Sequence, residues 1–328
     1  MIRMIADTAN LLFRVAAAQN DKYGGTTEER AALAIHSSMQ SLNKYYRQYQ
    51  PDQVILTFEG RNNWRKTYTM SEACVSGAKY KGNRKYDSTH EVFFMLIEAF
   101  QILVRDHTSL ICLQHELLEG DDLIGGLVHR IAPRREDEII IISGDKDFVQ
   151  LLEYDNVVLI NPDTGKPRTV ESVCGKNDAQ YFKFEKCMRG DGGDNVMSAY
   201  PRLRTKKIEE AYSDTYKKSL LLNEEIVFTD PESGERSVTL VGDRFRENEL
   251  LMMLDKQPDD IKKVINEVLD TEMEHFGKFS MFHFTRFCGK YNLKSILEQI
   301  HTFAPLFSAN SKSKSEADAQ DRRHKLFE

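Results

Sequence analysis

The chain has 328 residues, a formal net charge of −6, 41% hydrophobic and 29% charged residues. That length supports two domains, or one large α/β domain with an appended module, and enough apolar residues for a sizeable core. Composition also excludes several classes. No apolar run approaches a bilayer span, so no membrane partner is expected. The N-terminus enters a strand with no basic-then-apolar leader. The five cysteines (Cys74, Cys112, Cys174, Cys187 and Cys288) show no CxxC spacing. They argue against a structural zinc site and for reduced thiols in a cytosol-like compartment.

The first predicted strand, Ile2–Ala6, ends on Asp7. A helix over Thr27–Tyr49 follows, opened by acids at Glu28 and Glu29. Strand Gln53–Phe58 ends on Glu59. The next stretch, Gly60–Asp87, has no clear periodicity and carries Arg61, Arg65, Lys66, Lys79, Lys81, Arg84 and Lys85 against the single acid Glu72 in the run 61–85. A loop of that length inside a compact domain is either functional or disordered, and a basic run is a phosphate grip or only a solvated face. Helix Ser88–Arg105, strand Ser109–Leu113 and helix Asp121–Ile131 come next, the last opened by Glu119-Gly-Asp-Asp122. Strand Ile139–Ile142 runs into Ser143-Gly-Asp-Lys-Asp147 and a helix Lys146–Leu152, before strand Val157–Ile160. Strands alternating with amphipathic helices predict an α/β fold with a mainly parallel central sheet covered by helices.

Beyond residue 185 helical patterns dominate. The turn Gly190-Asp-Gly-Gly-Asp-Asn195 is followed by a basic group of Arg202, Arg204, Lys206 and Lys207. A hairpin is expected from Ile226–Thr229 and Val238–Val241, with helices at Glu247–Leu254, Pro258–Leu269 and Ser280–Ile300. The segment Ser308–Glu328 is poor in hydrophobics and is expected to be disordered. Its Leu326-Phe327 pair also suits a partner-docking peptide, for instance for a sliding clamp; a single-strand-binding protein is the alternative partner expected of the chain. No internal repeat is visible.

Acids therefore recur at predicted strand ends, the edge at which open α/β sheets bind ligands. Singly, each group has an ordinary reading. Asp145 or Asp147 caps a helix, Glu119–Asp122 favours a helix dipole, and Gly190–Asn195 is a polar turn. Together they would repel one another unless a cation neutralised them. Oxygen donors without nearby His or Cys point to Mg²⁺, with Mn²⁺ able to substitute. That is the chemistry of two-metal phosphodiester cleavage. A haloacid-dehalogenase-type phosphatase needs two acids after its first strand, whereas Asp7 is followed by Thr8-Ala9-Asn10. Neither GxxxxGK[ST] nor a strand-linked GxGxxG occurs.

The ordered set Asp7, Glu59, Glu119-Gly-Asp-Asp122, Ser143-Gly-Asp-Lys-Asp147 and Gly190-Asp-Gly-Gly-Asp-Asn195, with Lys79-Tyr-Lys-Gly-Asn-Arg84, resembles the flap endonuclease / 5′–3′ exonuclease family, which has a PIN-like fold. Within it the chain resembles the ribonuclease H members of T-even-type bacteriophages. The resemblance spans about residues 1–307, since Glu247-Asn-Glu-Leu and Pro258-Asp-Asp-Ile also have counterparts. It implies a nuclease domain over 1–185 with a basic loop and arch at 60–106. A helical, duplex-gripping region over 186–307 and a tail over 308–328 complete the expected organisation. Asp7, Glu59, Glu119, Asp121, Asp145 and Asp147 match positions that hold two Mg²⁺ ions, directly or through water. Asp122, Asp191 and Asp194 match the remaining acids. Lys81 and Arg84 match the basic pair at the scissile phosphate, and Tyr80 is placed to stack on an unpaired base. Residues 196–207 occupy the place of the helix–three-turn–helix that grips DNA.

Two departures stand out. Glu59 replaces the more usual Asp, and the glycine-rich turn of the gripping motif is replaced by Ser198-Ala-Tyr-Pro-Arg-Leu203. The second puts a backbone-bound potassium ion in question, and leaves Arg202, Arg204, Lys206 and Lys207 to hold phosphates by side chain. The function implied is Mg²⁺-dependent removal of RNA primers and adjacent DNA from 5′ ends during replication, on DNA and RNA/DNA duplexes with 5′ ends or flaps. It would take place in the cytoplasm, that of a host if the chain is phage-encoded. The alternatives are a structure-specific DNA-binding protein with an inactive site, or a PIN-type single-strand ribonuclease.

Overall fold

The computed structural model describes residues 1–19, 26–84, 88–229, 234, 236–275 and 277–311. The tail, with its Leu326-Phe327 pair, lies outside the described residues from 312 onward, as do Lys85 and most of the hairpin turn. Six strands form one sheet: β1 (Ile2–Asp7), β2 (Gln53–Thr57), β3 (Ile111–Leu113), β4 (Glu138–Ile142), β5 (Val157–Asn161) and β6 (Lys166–Arg168). Their order is β3-β2-β1-β4-β5-β6. The first five run parallel and β6 pairs antiparallel with β5. The chain moves outward from β1 through β2 and β3, then crosses back to β4 on the other side of β1. That reversal opens a crevice beyond the C-terminal ends of β1 and β4. Asp7 lies level with Thr57, and Ala6 with Ile142, so Asp7, Glu59 and Ser143 leave the sheet at nearly one height.

The five parallel strands are apolar and β-branched because helices cover both faces. On one face α1 (Thr8–Gln19), α2 (Thr27–Tyr49) and α4 (Ser88–His107) build a core around Met4, Leu42, Leu56 and Phe100. Thr26 and Glu29 close a capping box at the start of α2. On the other face α5 (Gly120–Ile131) packs around Ile5, Ile55, Ile139 and Ile141, with α3 (Trp64–Thr69) at its border. The basic segment expected as a structureless loop thus contains a short helix. Its remainder is pinned by the Glu247 carboxylate, which accepts from the backbone N–H groups of Val75 (2.6 Å) and Ser76 (3.0 Å).

Helices α6 (Glu171–Cys174), α7 (Ala179–Arg189), α8 (Thr205–Ser213) and α9 (Thr215–Leu222) follow the sheet. After the hairpin of β7 (Glu225–Thr229) and β8 (Arg236–Leu240) come α10 (Val241–Met252), α11 (Asp259–Glu272), α12 (Met281–Lys290), α13 (Lys294–Glu298) and α14 (Ile300–Phe307). A third core joins α7 to α10 through Phe184, Cys187, Ile208, Phe245 and Leu251. The last helices return to the sheet: Ile261 and Ile265 join the α5 side, and Phe284, Phe303 and Phe307 the α2–α4 side.

Three expected elements differ. The helix expected over Lys146–Leu152 is a 3₁₀ segment, Asp147–Glu153. The helix expected over Ser280–Ile300 is broken into pieces, with Asn292 in the left-handed region (φ 54°), which asparagine tolerates. The helix expected from Glu247 begins at Val241. No helix among the described residues is long and apolar enough to cross a membrane.

Helix α5 presents Gly125 and Gly126 to the C-terminal half. A Cβ at Gly126 would lie 2.3 Å from Ile265 Cγ2, and one at Gly125 would lie 2.6 Å from Leu254 Cβ. Both faces are therefore closed by direct backbone approach. Gly126→Val should overpack the α5–α11 contact and destabilise the fold by about 1–3 kcal/mol, read from the urea midpoint. Adding Ile265→Ala should recover part of the loss, and no recovery would place the strain elsewhere.

Candidate active site

The crevice gathers carboxylates from four distant stretches. Asp7, ending β1, is 4% exposed; its carboxylate accepts from the Asn10 backbone N–H (3.0 Å) and the Ser143 hydroxyl (2.8 Å). The Gly144 N–H donates to Asn10 Oδ1 (2.9 Å), so the turn after β4 is tied to the end of β1. Within that turn the Asp145 N–H donates to Ser143 Oγ (3.0 Å), and the Asp147 N–H to Asp145 Oδ1 (2.8 Å). From the β2 side, Glu59 accepts from the Gly120 N–H at the start of α5.

The electrostatics show how close these groups are. Burial, followed by the charges of Asp145, Asp7, Glu59 and Glu119, pushes Asp121 well up. Burial also carries Asp7 up to about 6, with Asp145 adding to the rise. Glu59 rises through desolvation and the Glu119 charge; its side chain keeps access to solvent, which screens part of that effect. Asp147 reaches about 6, chiefly from burial and against the pull of Lys186. A set of anions that resists ionising is one that lacks countercharge.

Two lysines supply part of it. Lys81 Nζ donates to Glu119 Oε1 (2.5 Å) and lies 4.0 Å from Asp194. Burial works against its charge, but Glu119, Asp194 and Glu59 outweigh that and keep it ammonium. Lys186, on the last turn of α7, bridges Asp147 (2.6 Å) and Asp191 (2.9 Å). Lys186 lies outside the residues singled out from the sequence. Its one local signal is its place five residues before Asp191 in a helix whose amphipathic pattern is weak. Arg84 Nη2 reaches Asp194 Oδ1 at 2.7 Å.

Lys81 has φ 55°, an unusual value for a non-glycine residue. Its backbone N–H donates to the Asp194 carbonyl (2.8 Å), while the Asn83 amide donates to Gly192 O and the Asn195 amide to Lys79 O, both at 2.9 Å. The turn at 191–195 therefore holds the basic segment in place.

Two expected roles do not fit the geometry. Tyr80 is 6% exposed, and its hydroxyl lies 3.0 Å from Glu119 Oε2 and 2.9 Å from Asp194 Oδ2. A ring enclosed in this way offers no open face for a base. Asp122 turns away from the crevice and is fully buried, with both oxygens bound by Arg65 at 2.8 Å. Burial alone would push its carboxyl up, but Arg65 holds it below the usual range. Arg65, expected among the phosphate-facing basic residues, is itself only 2% exposed. Arg202, Arg204, Lys206 and Lys207 are all exposed around the start of α8, and Arg202 is left-handed (φ 60°) in the glycine-free turn.

As the side chains stand, no three of the described His, Cys, Asp and Glu residues meet at ligand distance around one point. The donor set still fits Mg²⁺, which keeps several waters and needs only one or two direct carboxylates. Asp7, Glu59, Asp121 and Asp145 offer oxygen alone, and the raised affinity of Asp7, Glu59 and Asp121 for protons marks an unmet need for positive charge.

A parallel sheet with oxygen donors and basic side chains at its switch point defines a PIN-like nuclease fold. The family model for the 5′–3′ exonuclease, N-terminal resolvase-like domain matches residues 3–181, and the chain belongs to that family, whose members are phosphodiester-hydrolysing nucleases. Ribonuclease H of Enterobacteria phage T4 is 27% identical over 231 residues, covering 64% of this chain and 73% of that protein. The 5′–3′ exonuclease of Buchnera aphidicola subsp. Schizaphis graminum is 25% identical over 175 residues, 52% of this chain and 56% of its own length. The chain thus spans just over half of that relative. It matches only 21% of DNA polymerase I of Caldicellulosiruptor bescii, at 28% identity over 55% of this chain. Among solved structures, the bacteriophage T5 D15 protein co-crystallised with metal ions gives a TM-score of 0.57 at 18% identity, covering 82% of this chain and 99% of that one. The T5 D15 flap endonuclease in complex with DNA and metal ions gives 0.56 at 18% identity, over 83% of this chain and all of that one. These two show the shared fold.

Asp7 and Asp147 bind protons more tightly in the folded chain than when unfolded, with carboxyls near 6 against an ordinary 3.8. Their protonated forms favour folding, an advantage complete below about pH 4 and lost as pH climbs through about 6. In chelator, Tm should therefore fall between about pH 4 and 7, and millimolar Mg²⁺ should raise Tm most at the upper end of that window. A Tm indifferent to both pH and Mg²⁺ would contradict an uncompensated acid cluster.

Proposed function

We propose that this chain is a Mg²⁺-dependent, structure-specific 5′–3′ nuclease that removes RNA primers and adjacent DNA during replication, acting on DNA and RNA/DNA duplexes with 5′ ends or flaps. The observation that carries the reading is the convergence of Asp7, Glu59, Glu119, Asp121 and Asp145 in one crevice with Lys81 at its rim. The metal-bound T5 neighbours support divalent ions, and the T4 ribonuclease H relative supports activity on RNA. Residues 1–185 would form the nuclease unit, with residues 60–106 around the entrance. Residues 186–307 would grip duplex backbone through Arg202, Arg204, Lys206 and Lys207.

Asp7, Glu59, Glu119, Asp121, Asp145 and Asp147 would hold the metals, with Asp191 and Asp194 outside them. When bound, divalent ions supply an acidified water and countercharge for the leaving 3′-oxygen. The chain's own residues do the rest. Lys81 and Arg84 rest on Glu119 and Asp194. From there the two cations would meet charge developing on the phosphate. Lys186 bridges Asp147 and Asp191 beside the same crevice. Asn10 and Ser143 keep Asp7 aimed along the end of β1.

Asp145→Asn should lower cleavage of a 5′-flap duplex with Mg²⁺ by at least about 100-fold while DNA binding is largely kept. Near-normal turnover would remove Asp145 from the site. Lys81→Ala should lower kcat more than it raises KM. A panel of 5′-flap, blunt duplex and free RNA substrates separates the readings. Preference for the flap supports the proposal, exclusive cutting of free RNA favours a single-strand ribonuclease, and binding without cleavage favours an inactive site.

A further inference from the structure

The interior beneath the crevice contains an ion cluster almost closed to solvent. Arg65 is 2% exposed and spends every guanidinium nitrogen on the protein. Its Nε donates to the carbonyl of Leu251 at the end of α10 (2.7 Å), and Nη2 to Asp122 Oδ1 (2.8 Å). Its Nη1 donates to Asp122 Oδ2 (2.8 Å) and Glu119 Oε2 (3.2 Å). Its guanidinium carbon lies 4.6 Å from the ring centroid of Trp64 and 5.8 Å from that of Tyr80. Asp122 also accepts from the Trp64 indole N–H (3.2 Å), the Gln257 amide (3.2 Å) and the backbone N–H of Glu119 (3.1 Å).

Glu119 is thus held from two sides. One oxygen faces Arg65 and Tyr80, and the other carries the Lys81 ammonium. A bidentate guanidinium–carboxylate pair defines direction as well as distance, which a lysine in the same place cannot do. The same guanidinium is anchored to Leu251, in the helical half of the chain.

We infer that Arg65 is a positioning residue. It orients Glu119, and through Glu119 the Lys81 ammonium, and it ties that orientation to the end of α10. It does not contact phosphate. The inference rests on the nuclease reading above. It assigns Arg65 an effect on turnover, whereas a phosphate-gripping arginine would act on affinity and on its salt dependence.

The test uses the full-length chain carrying Arg65→Lys, with folding checked by Tm and circular dichroism. On a 5′-flap duplex with Mg²⁺, kcat should fall about 10- to 100-fold, with KM and the salt slope of binding unchanged. In a Lys81→Ala background the same substitution should cost no more than about twofold further. A raised KM with a shallower salt slope would make Arg65 a phosphate ligand and overturn the inference. An equal loss in both backgrounds would also overturn it, by showing that Arg65 does not act through Lys81. If Arg65→Lys does not fold, Asp122→Asn, which keeps the shape and weakens the same pair, should give the same kcat signature.

A second readout needs no turnover. Trp64 is the chain's sole tryptophan, so its emission reports on this cluster alone. Mg²⁺ should change that emission in the wild-type protein and leave it unchanged in Arg65→Lys. An unresponsive wild-type emission would sink the link between Glu119 and Arg65. Failure of the wild type to cut any 5′-ended substrate would instead remove the nuclease reading.

Discussion

Mutual repulsion among carboxylates at one edge of a parallel sheet is the constraint that organises this molecule. Asp7, Glu59, Asp121 and Asp145 face a common crevice, and burial raises the cost of charging Asp7 and Asp121. A fold can hold such a group only with rigid walls and local countercharge. Here the walls are apolar strands covered on both faces, and the countercharge comes from Lys81 and Lys186. The balance is incomplete, since burial still raises Asp7 and Asp121 despite the two lysines.

Countercharge is divided by depth. Lys186 and Lys81 sit at the level of the crevice, partly open to solvent. Arg65 sits below it, fully enclosed, with Asp122 as its partner. Removing one member of such a buried pair strands the other, so this part of the structure tolerates little change. The acids are consequently of two kinds despite adjacent positions in the chain: Asp121 faces the crevice, and Asp122 serves the interior beneath it.

The basic segment depends on the same arrangement. Left-handed backbone at a non-glycine residue costs of order 1–3 kcal/mol, and Lys81 adopts it with its N–H on the Asp194 carbonyl. Glu247, from α10, fixes Val75 and Ser76 upstream. The lysine at the rim is therefore placed by residues more than a hundred positions away in sequence.

Much of this was legible in the amino-acid order. Runs such as Ile139–Ile142 ending in Ser143-Gly-Asp announce a buried strand and a tight turn, because apolar periodicity and turn chemistry are local signals. A series of such runs each ending in an acid already implied a parallel sheet with a charged edge. Local pattern could not say that Asp122 turns inward, that Arg65 leaves the basic surface, or that Tyr80 is enclosed. Nor could it show that Lys186 bridges two acids. Each of those outcomes depends on which polar group finds a partner across the packed interior, and only the assembled chain brings Leu251 and Gln257 to Arg65 and Asp122. The sequence by itself determined the elements and the chemistry at their ends. Tertiary packing decided which charges face the crevice and which are neutralised beneath it, because desolvation and pairing are set by neighbours distant in the chain.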